Sequence, residues 1–470
     1  MTDNRELLRK IPSVSGCLES AAMEALADEF GRGMVSLLLR RFLEALRADI
    51  LEGKIGRVPD ENEIAESLRP ELARTTSPEG KRAVNATGIL LHTALGRAPL
   101  AGNAVDSLGI FGGYSVLQVS LDDGKRCRRD VMIENMLREL TGCEAATVVN
   151  NNAEATMLIL NTLAKGKDAV VSRGQLVEIG GSFRMPDVMA QSGAVMREIG
   201  TTNRTHLNDY SGAVGGNTGV IVHVHTSNYR IRGFSGMPDI KEICGLRGER
   251  FPDIPVMDDL GSGALVPLSE FGLTDEPLVG DSLKAGADVV CFSGDKLISG
   301  PQCGIICGRK DIIERIRKNP FARMFRTDKM MLSVLERTLI HFVNGTYKDE
   351  IPLYRMLAAD IDALGERAET LRGTLQKLPG IITEITDGTA CAGSGSIPDE
   401  EIPDKVLRVR FSGDNVNLNR ISEKLRKNIP SVFARIADDA LLFHMRTLLP
   451  GDLEILGATL PAVFSESVDV

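Results

Sequence analysis

The sequence predicts an α/β fold. A central domain built on a mostly parallel sheet is preceded by a helical segment and followed by a small α+β domain. Three observations carry this. Between residues 145 and 292, short and continuously apolar runs alternate with helical patterns, as strands covered on both faces do. Residues 1–75 carry apolar positions at helical spacing. From residue 331 onward, long helical patterns mix with strand-like runs and turn signals. At 470 residues the chain has room for two or three domains, and the expected divisions are 1–75, 76–330 and 331–470.

In the first segment, helical spacing runs from Ser20 to Ala48, and Pro59-Asp60-Glu61-Asn62-Glu63 reads as a cap opening another helix. Arg40, Arg41, Arg47, Lys54 and Arg57 cluster there; by their residues alone they form an ordinary solvated helix face. Thr75 to Gly80 reads as a linker. The central domain follows with strands at Ala145–Asn150, Asp168–Ser172, Ala194–Ile199, Val220–His225, Pro255–Asp258 and Asp288–Phe292, and a helix at Ala153–Ala164. After Ser293-Gly294 the chain doubles back into Gly304–Gly308. In the last domain Met330–Val343, Tyr354–Leu378 and residues 416–427 read as helical. Ile381–Ile385 and Val406–Phe411 read as strands, Ala437-Asp438-Asp439-Ala440 as a hairpin turn, and Asp387–Asp399 as a glycine-rich loop.

Composition narrows the class. The chain is 43% hydrophobic and 25% charged, with a net charge of -9, which argues against a generic nucleic-acid binder while leaving room for a local basic patch. Eight cysteines, at 17, 127, 143, 244, 291, 303, 307 and 391, form neither a CxxC pair nor a zinc spacing. This usage fits a reducing cytosol without structural disulfides. The polar start leads into no signal-type stretch, and no run reaches membrane-spanning length. A soluble cytoplasmic protein is expected.

Ligands of parallel sheets bind beyond the carboxyl ends of the strands, and three such ends carry chemistry here. Asn151, Asn152 and Ala153 open a helix, so their N–H groups suit an anion such as a cofactor phosphate; an Asn run is also a plain helix cap. In Asp258-Asp259-Leu260-Gly261 a carboxylate could hold a pyridinium nitrogen. Asp259 is favoured because the glycine after Leu260 leaves space for a ring, with Asp258 the alternative. The third end is Ser293-Gly294-Asp295-Lys296. A lysine there becomes a Schiff-base former once its surroundings lower its pKa, and a serine three residues earlier is a common phosphate partner in pyridoxal phosphate enzymes. Anion loop, acid and then lysine is the order of the aspartate-aminotransferase-like (fold type I) pyridoxal phosphate enzymes. Arg97, Arg323 and Arg326 lie in loops and could fork onto a second anion. His92 and His225 end apolar runs, each either a core histidine or a catalyst. No aromatic stands out as a ring-stacking partner.

With these residues in view, the chain resembles, from end to end, the bacterial selenocysteine synthase (L-seryl-tRNA(Sec) selenium transferase) family. The resemblance rests on Leu8–Val14, Asn85–Gly88, His92–Pro99, Val149–Ala153, Ser172–Gly174, Val177–Phe183, Gly200–Leu207, His225–Ile231, Asp259–Gly263, Ser293–Gly308, Asn319–Lys329 and Arg446–Pro450. It implies that Lys296 carries pyridoxal 5'-phosphate and that Ser-tRNA(Sec) loses its seryl α-proton and hydroxyl to give a cofactor-held dehydroalanyl intermediate. Selenium from selenophosphate then yields selenocysteinyl-tRNA(Sec). It further implies that Asp295 is an acid–base residue, that Arg97, Arg323 and Arg326 hold the selenophosphate-like anion, and that the N-terminal domain binds tRNA. Subunits of the family form a ring of dimers, typically a decamer, with active sites between subunits.

Two positions depart from the family's pattern. Ala94 stands where asparagine is usual in His-Thr-Asn-Leu-Gly-Arg, and Cys127–Met132 stands where a serine-arginine stretch and a histidine are usual. Either departure bears on substrate positioning if it lines the site. Two other readings compete: a pyridoxal phosphate lyase or transferase acting on a small phosphorylated or amino acid substrate, and an inactive tRNA-binding relative. Retention of Lys296, Asp259 and Asp295 argues against the inactive relative, and the N-terminal segment argues against the small-substrate enzyme.

Overall fold

The helical spacing from Ser20 to Ala48 folds as two helices, because Gly31 sits between them at φ 87, a left-handed value that glycine adopts without strain. The computed structural model describes residues 4–76, 81–181, 183–229, 231, 233–273, 276–393, 396, 400–412 and 416–468. The chain divides into two compact units, residues 1–82 and 83–470. The first contains helices Asn4–Lys10, Val14–Leu18, Ala21–Phe30, Arg32–Leu51 and Glu61–Thr76, closed around a core that includes Met23, Leu39, Ile50, Ile64 and Leu68. The cap read at Pro59–Glu63 is a reciprocal one. Asp60 Oδ1 accepts from the Asn62 and Glu63 N–H groups, each at 2.9 Å, and Glu63 Oε2 accepts from the Asp60 N–H at 3.0 Å. Of the linker expected at 75–80, residues 75 and 76 complete the last helix, and 77–80 lie outside the described residues.

The second unit holds two main sheets. Its strands are β1 (Ala83–Ala86), β2 (Ala145–Val149), β3 (Asp168–Ser172), β4 (Glu178–Ile179), β5 (Phe183–Arg184), β6 (Val195–Ile199), β7 (Thr218–Val224), β8 (Val256–Gly261), β9 (Val289–Ser293), β10 (Gly304–Gly308), β11 (Ile381–Ala390), β12 (Ile402–Phe411), β13 (Ser431–Ala437) and β14 (Ala440–His444). The large sheet has the order β2-β10-β9-β8-β7-β3-β6, and β10 alone runs against the others. Alternation along each strand divides the core between the two faces. Val256, Leu260, Val290 and Phe292 face one cluster, with helices Val131–Thr141 and Lys329–Val343. Met257, Val289 and Cys291 face the other, with helices Asn152–Ala164 and Lys310–Lys318.

The small sheet has the order β1-β13-β14-β12-β11. Several expectations change here. β1 falls within the span 76–330 assigned to the large sheet, yet it pairs in parallel with β13, Ala83 opposite Ser431. The helical pattern from Tyr354 to Leu378 is two helices, Pro352–Ala358 and Ile361–Leu375. Asp360 caps the second by accepting from the Asp362 and Ala363 N–H groups. The loop read at Asp387–Asp399 begins as strand, since Asp387–Ala390 pair with Lys405–Ile402; residues 394, 395 and 397–399 lie outside those described. The Asp438-Asp439 turn has φ 47 and 52, the two positive values that a tight two-residue hairpin needs. All eight cysteines are free. Among the described residues no helix is long and apolar enough to cross a membrane.

Gly304 at the start of β10 is required by close approach. A Cβ there would meet Asn151 O at 2.2 Å and Asn152 N at 3.0 Å. Gly304→Ala is expected to cost about 1–3 kcal/mol by overpacking, read as a lower urea midpoint at unchanged slope. An unchanged midpoint would show that the Asn151 turn yields freely.

Candidate active site

The carboxyl ends of β2, β8 and β9 lie along one edge of the sheet and meet around a cavity of about 240 Å³. Its wall includes Asn151, Asn152, Ala153, Asp259, Ser293 and Lys296, and also Asp295 and Arg97. The turn carrying the lysine is firmly held. Gly294 N–H donates to Cys303 O (2.9 Å), Gly300 N–H to Gly294 O (2.8 Å) and Ser299 N–H to Lys296 O (2.9 Å). The Ser299 hydroxyl donates to Pro99 O at 3.1 Å, and the Tyr354 hydroxyl to Leu297 O at 2.8 Å.

Lys296 is only 4% exposed. Burial, helped by the Arg97 charge, lowers its pKa, while Asp295, Asp259 and Glu276 oppose the shift. The amine therefore loses its proton more readily than an ordinary lysine, which is the condition for a carbonyl-seeking nucleophile. Arg97, at φ 62, donates from Nη1 to Asp295 Oδ2 at 2.8 Å. The residue read as an anion holder and the one read as an acid–base group are thus a pair.

Strand alternation separates the two aspartates. Asp259 turns toward the cavity, where Asn152 Nδ2 (2.9 Å), the Thr156 hydroxyl (2.7 Å) and the Gly261 N–H (3.1 Å) donate to it. Burial raises its pKa against the pull of these donors. Asp258 faces the opposite side and pairs through Oδ1 with His223 Nδ1 at 2.7 Å. Gly261, read as leaving space for a ring, adopts φ 65, and a Cβ there would stand 3.2 Å from Ser227 Oγ. At the helix start, Asn151 Oδ1 accepts from the Glu154 N–H at 2.9 Å. The N–H groups of Asn152 and Ala153 precede the first helical acceptor.

The other expected residues divide. Arg323 and Arg326 are exposed and do not line this cavity. Their segment flanks β2 through a Val149–Arg326 bridge and an Asn150 N–H bond to Phe325 O. There they adjoin Arg129, whose pKa falls through burial and the charges of Arg326 and Arg323. His225 is on the wall, its Nε2 3.3 Å from Glu276 Oε2, which accepts from the Ser262 hydroxyl at 2.7 Å. His92 is not on the wall. Neither Ala94 nor any residue of Cys127–Met132 lines the cavity; Arg128 instead pairs with Glu134, and Arg129 donates to Thr327 O and Gln118 Oε1. Sequence reasoning missed Thr156, although it stands one helical turn after Asn152. It also missed Phe183, which joins Val177, Ile179 and Met185 as the apolar side of the wall.

Residues 83–449 match the family described as L-seryl-tRNA selenium transferase, and residues 8–47 match the selenocysteine synthase N terminal. The chain belongs to the L-seryl-tRNA selenium transferase family. An L-seryl-tRNA(Sec) selenium transferase of Aquifex aeolicus (strain VF5) is 42% identical over 463 residues, spanning 98% of this chain and 100% of the relative. One from Clostridium botulinum (strain Okra / Type B1) is 41% identical over 457 residues, 97% of this chain and 98% of its own length. The solved structure of a D-glucosaminate-6-phosphate ammonia-lyase superposes with a TM-score of 0.57 at 17% identity, covering 83% of this chain and 97% of that one, a likeness of fold alone. The fold is that of the fold type I pyridoxal phosphate enzymes.

The donor set fits that cofactor. Helix-start N–H groups and the Ser293 hydroxyl suit a phosphate, Asp259 a ring nitrogen, and Lys296 an aldehyde, all on one wall. Among the described residues no group of three or more His, Cys, Asp or Glu is placed to hold a metal ion. Because Arg97 disfavours the charged amine, Arg97→Gln is expected to move the pH midpoint for pyridoxal phosphate loading upward, read by visible absorbance against pH. A midpoint that stays or falls would remove Arg97 from the account.

Proposed function

We propose that this chain converts L-seryl-tRNA(Sec) to L-selenocysteinyl-tRNA(Sec), with selenophosphate as selenium donor and phosphate as the second product. The observation that carries the reading is the near full-length identity to two transferases of that name, joined to a single cavity holding a buried lysine, an acid and an anion cradle. Pyridoxal phosphate, when bound, supplies an electron sink for the charge left at the seryl α-carbon. Asn152 and Ala153 N–H groups with Ser293 would hold its phosphate, Asp259 its ring nitrogen, and Lys296 its aldehyde carbon. Lys296 Nζ, freed when the seryl amine takes its place, would then take the seryl α-proton. Asp295, with Oδ2 engaged by Arg97, would use its other oxygen to pass that proton from Nζ to the departing hydroxyl, which leaves as water. Arg97 orients the donor oxyanion.

The domain roles follow the same reading: residues 1–75 bind tRNA, 76–330 hold the cofactor apart from β1, which joins the small sheet, and 331–470 form the small domain apart from helix Lys329–Val343, which packs on the large sheet. Arg40, Arg41 and Arg47 support the first role, being exposed on one helix with no ion pair among the described residues, while Lys54 and Arg57 are engaged by Asp49, Glu52 and Glu63. The protein works in the cytoplasm as a homo-oligomer, a decamer made as a pentamer of dimers. Exposed Ile110, Tyr114, Val116 and Leu121 support association, as do Arg323 and Arg326, which stand away from their own chain's cavity. A second copy gives those arginines a cavity to serve. The small-substrate reading leaves the match at residues 8–47 without a purpose.

The wild-type chain is expected to charge Ser-tRNA(Sec) with selenium from selenophosphate, and Lys296→Ala to abolish both turnover and the visible band of bound cofactor. A variant that keeps either would sink the lysine's role. Reversing Arg40, Arg41 and Arg47 to Glu should weaken tRNA binding and flatten its salt dependence, by about 0.7–0.9 in log–log slope for each phosphate no longer neutralised. Unaltered tRNA affinity would move recognition elsewhere.

A further inference from the structure

Helix Pro352–Ala358 aims Tyr354 at Leu297 and sets Arg355 on the wall of a second cavity, of about 140 Å³. Arg367, from the helix Ile361–Leu375, and Arg446, just past β14, share that wall with Leu448, Leu449 and Pro450. No Asp or Glu of the described residues is on it. We propose that this cavity binds a small tetrahedral oxyanion of the phosphate type.

The case begins with Arg446, which is 4% exposed. Its Nε donates to Pro403 O, and its Nη1 to the carbonyls of Met356, Leu357 and Ala359. These bonds orient the guanidinium without neutralising it. The nearby Asp404 carboxylate is engaged by His444 Nδ1 and by the backbone N–H groups of Lys405 and Arg446. Nη2 has no protein acceptor among the described residues, and it is not among the atoms sealed from the cavity and solvent. A buried cation without an ionic partner is costly, and here two more guanidiniums are brought to the same wall.

Arg355 and Arg367, unlike Arg446, have no side-chain hydrogen bond among the described residues, and they have no ion pair there either. Like charges gathered on one wall repel, and a single anion would turn that repulsion into attraction. Guanidinium forks match phosphate oxygens in pairs. The leucine and proline wall thins the water around the site and strengthens each contact. The small volume favours a free oxyanion over an RNA backbone.

The test titrates inorganic phosphate into the full chain saturated with pyridoxal phosphate, by calorimetry and by thermal midpoint. Saturable binding is expected. It should weaken at least about tenfold in the Arg355→Gln/Arg367→Gln double variant, through removal of hydrogen bonds to a charged group, and persist in Arg97→Gln. Arg446→Gln also removes four carbonyl bonds, so the double variant is the one that decides. Absence of saturable binding in the wild type, or equal binding in the double variant, overturns the proposal. So does a double variant that keeps phosphate binding but loses tRNA affinity, which would assign these arginines to RNA. Loss of phosphate binding in Arg97→Gln with the double variant unaffected would place the anion in the first cavity instead.

Discussion

The cavity at the sheet edge depends on one constraint: an amine has been taken out of water at the end of a strand. A lysine so placed either finds counter-charge or gives up its proton. Both pressures are present around Lys296. Asp295, Asp259 and Glu276 draw the proton in, while burial and Arg97 push it out and prevail. Much of the local structure serves to keep that balance. Ser299, Gly294 and Gly300 close the turn with backbone bonds, and Tyr354 holds the next carbonyl from another helix. An amine on a loose turn would swing into solvent and regain its ordinary basicity.

The acid opposite is set by strand geometry. A strand places adjacent residues on opposite faces, so Asp258 and Asp259 could not both serve. Asp259 shares its face with Thr156 and Cys291, and Asp258 its own with His223. Three donors around Asp259 keep a buried carboxylate ready for a cationic ring nitrogen. Asp258 has one histidine, and its Oδ2 is left without a hydrogen bond.

Much of this site was legible because it is local. A strand, a turn and a helix start each leave their mark within a few residues, and Ser293, Lys296 and Asn151–Ala153 were read that way. The choice between Asp258 and Asp259 needed the strand's register. Phe183 was hidden in a two-residue strand with no periodicity to read, and Glu276 as a partner of His225 has no sequence signal at all. The break at Asp360 was missed because helical spacing continues across it and only the aspartate's capping bonds betray it. The arginines at 323 and 326 were recognised as a pair, but no pattern along a chain says which cavity a loop will face.

The pairing of β1 with β13 has a consequence for synthesis. Ala83 and Ser431 are partners across nearly the whole second unit, so the small sheet cannot close until the last part of the chain has left the ribosome. Long-range pairing of this kind is slow because loop closure precedes its reward. In the interval, the partner edge for residues 83–86 does not yet exist, and the half-made sheet is open to other strands. Truncated or stalled chains are therefore the form of this protein most exposed to aggregation and to chaperone capture.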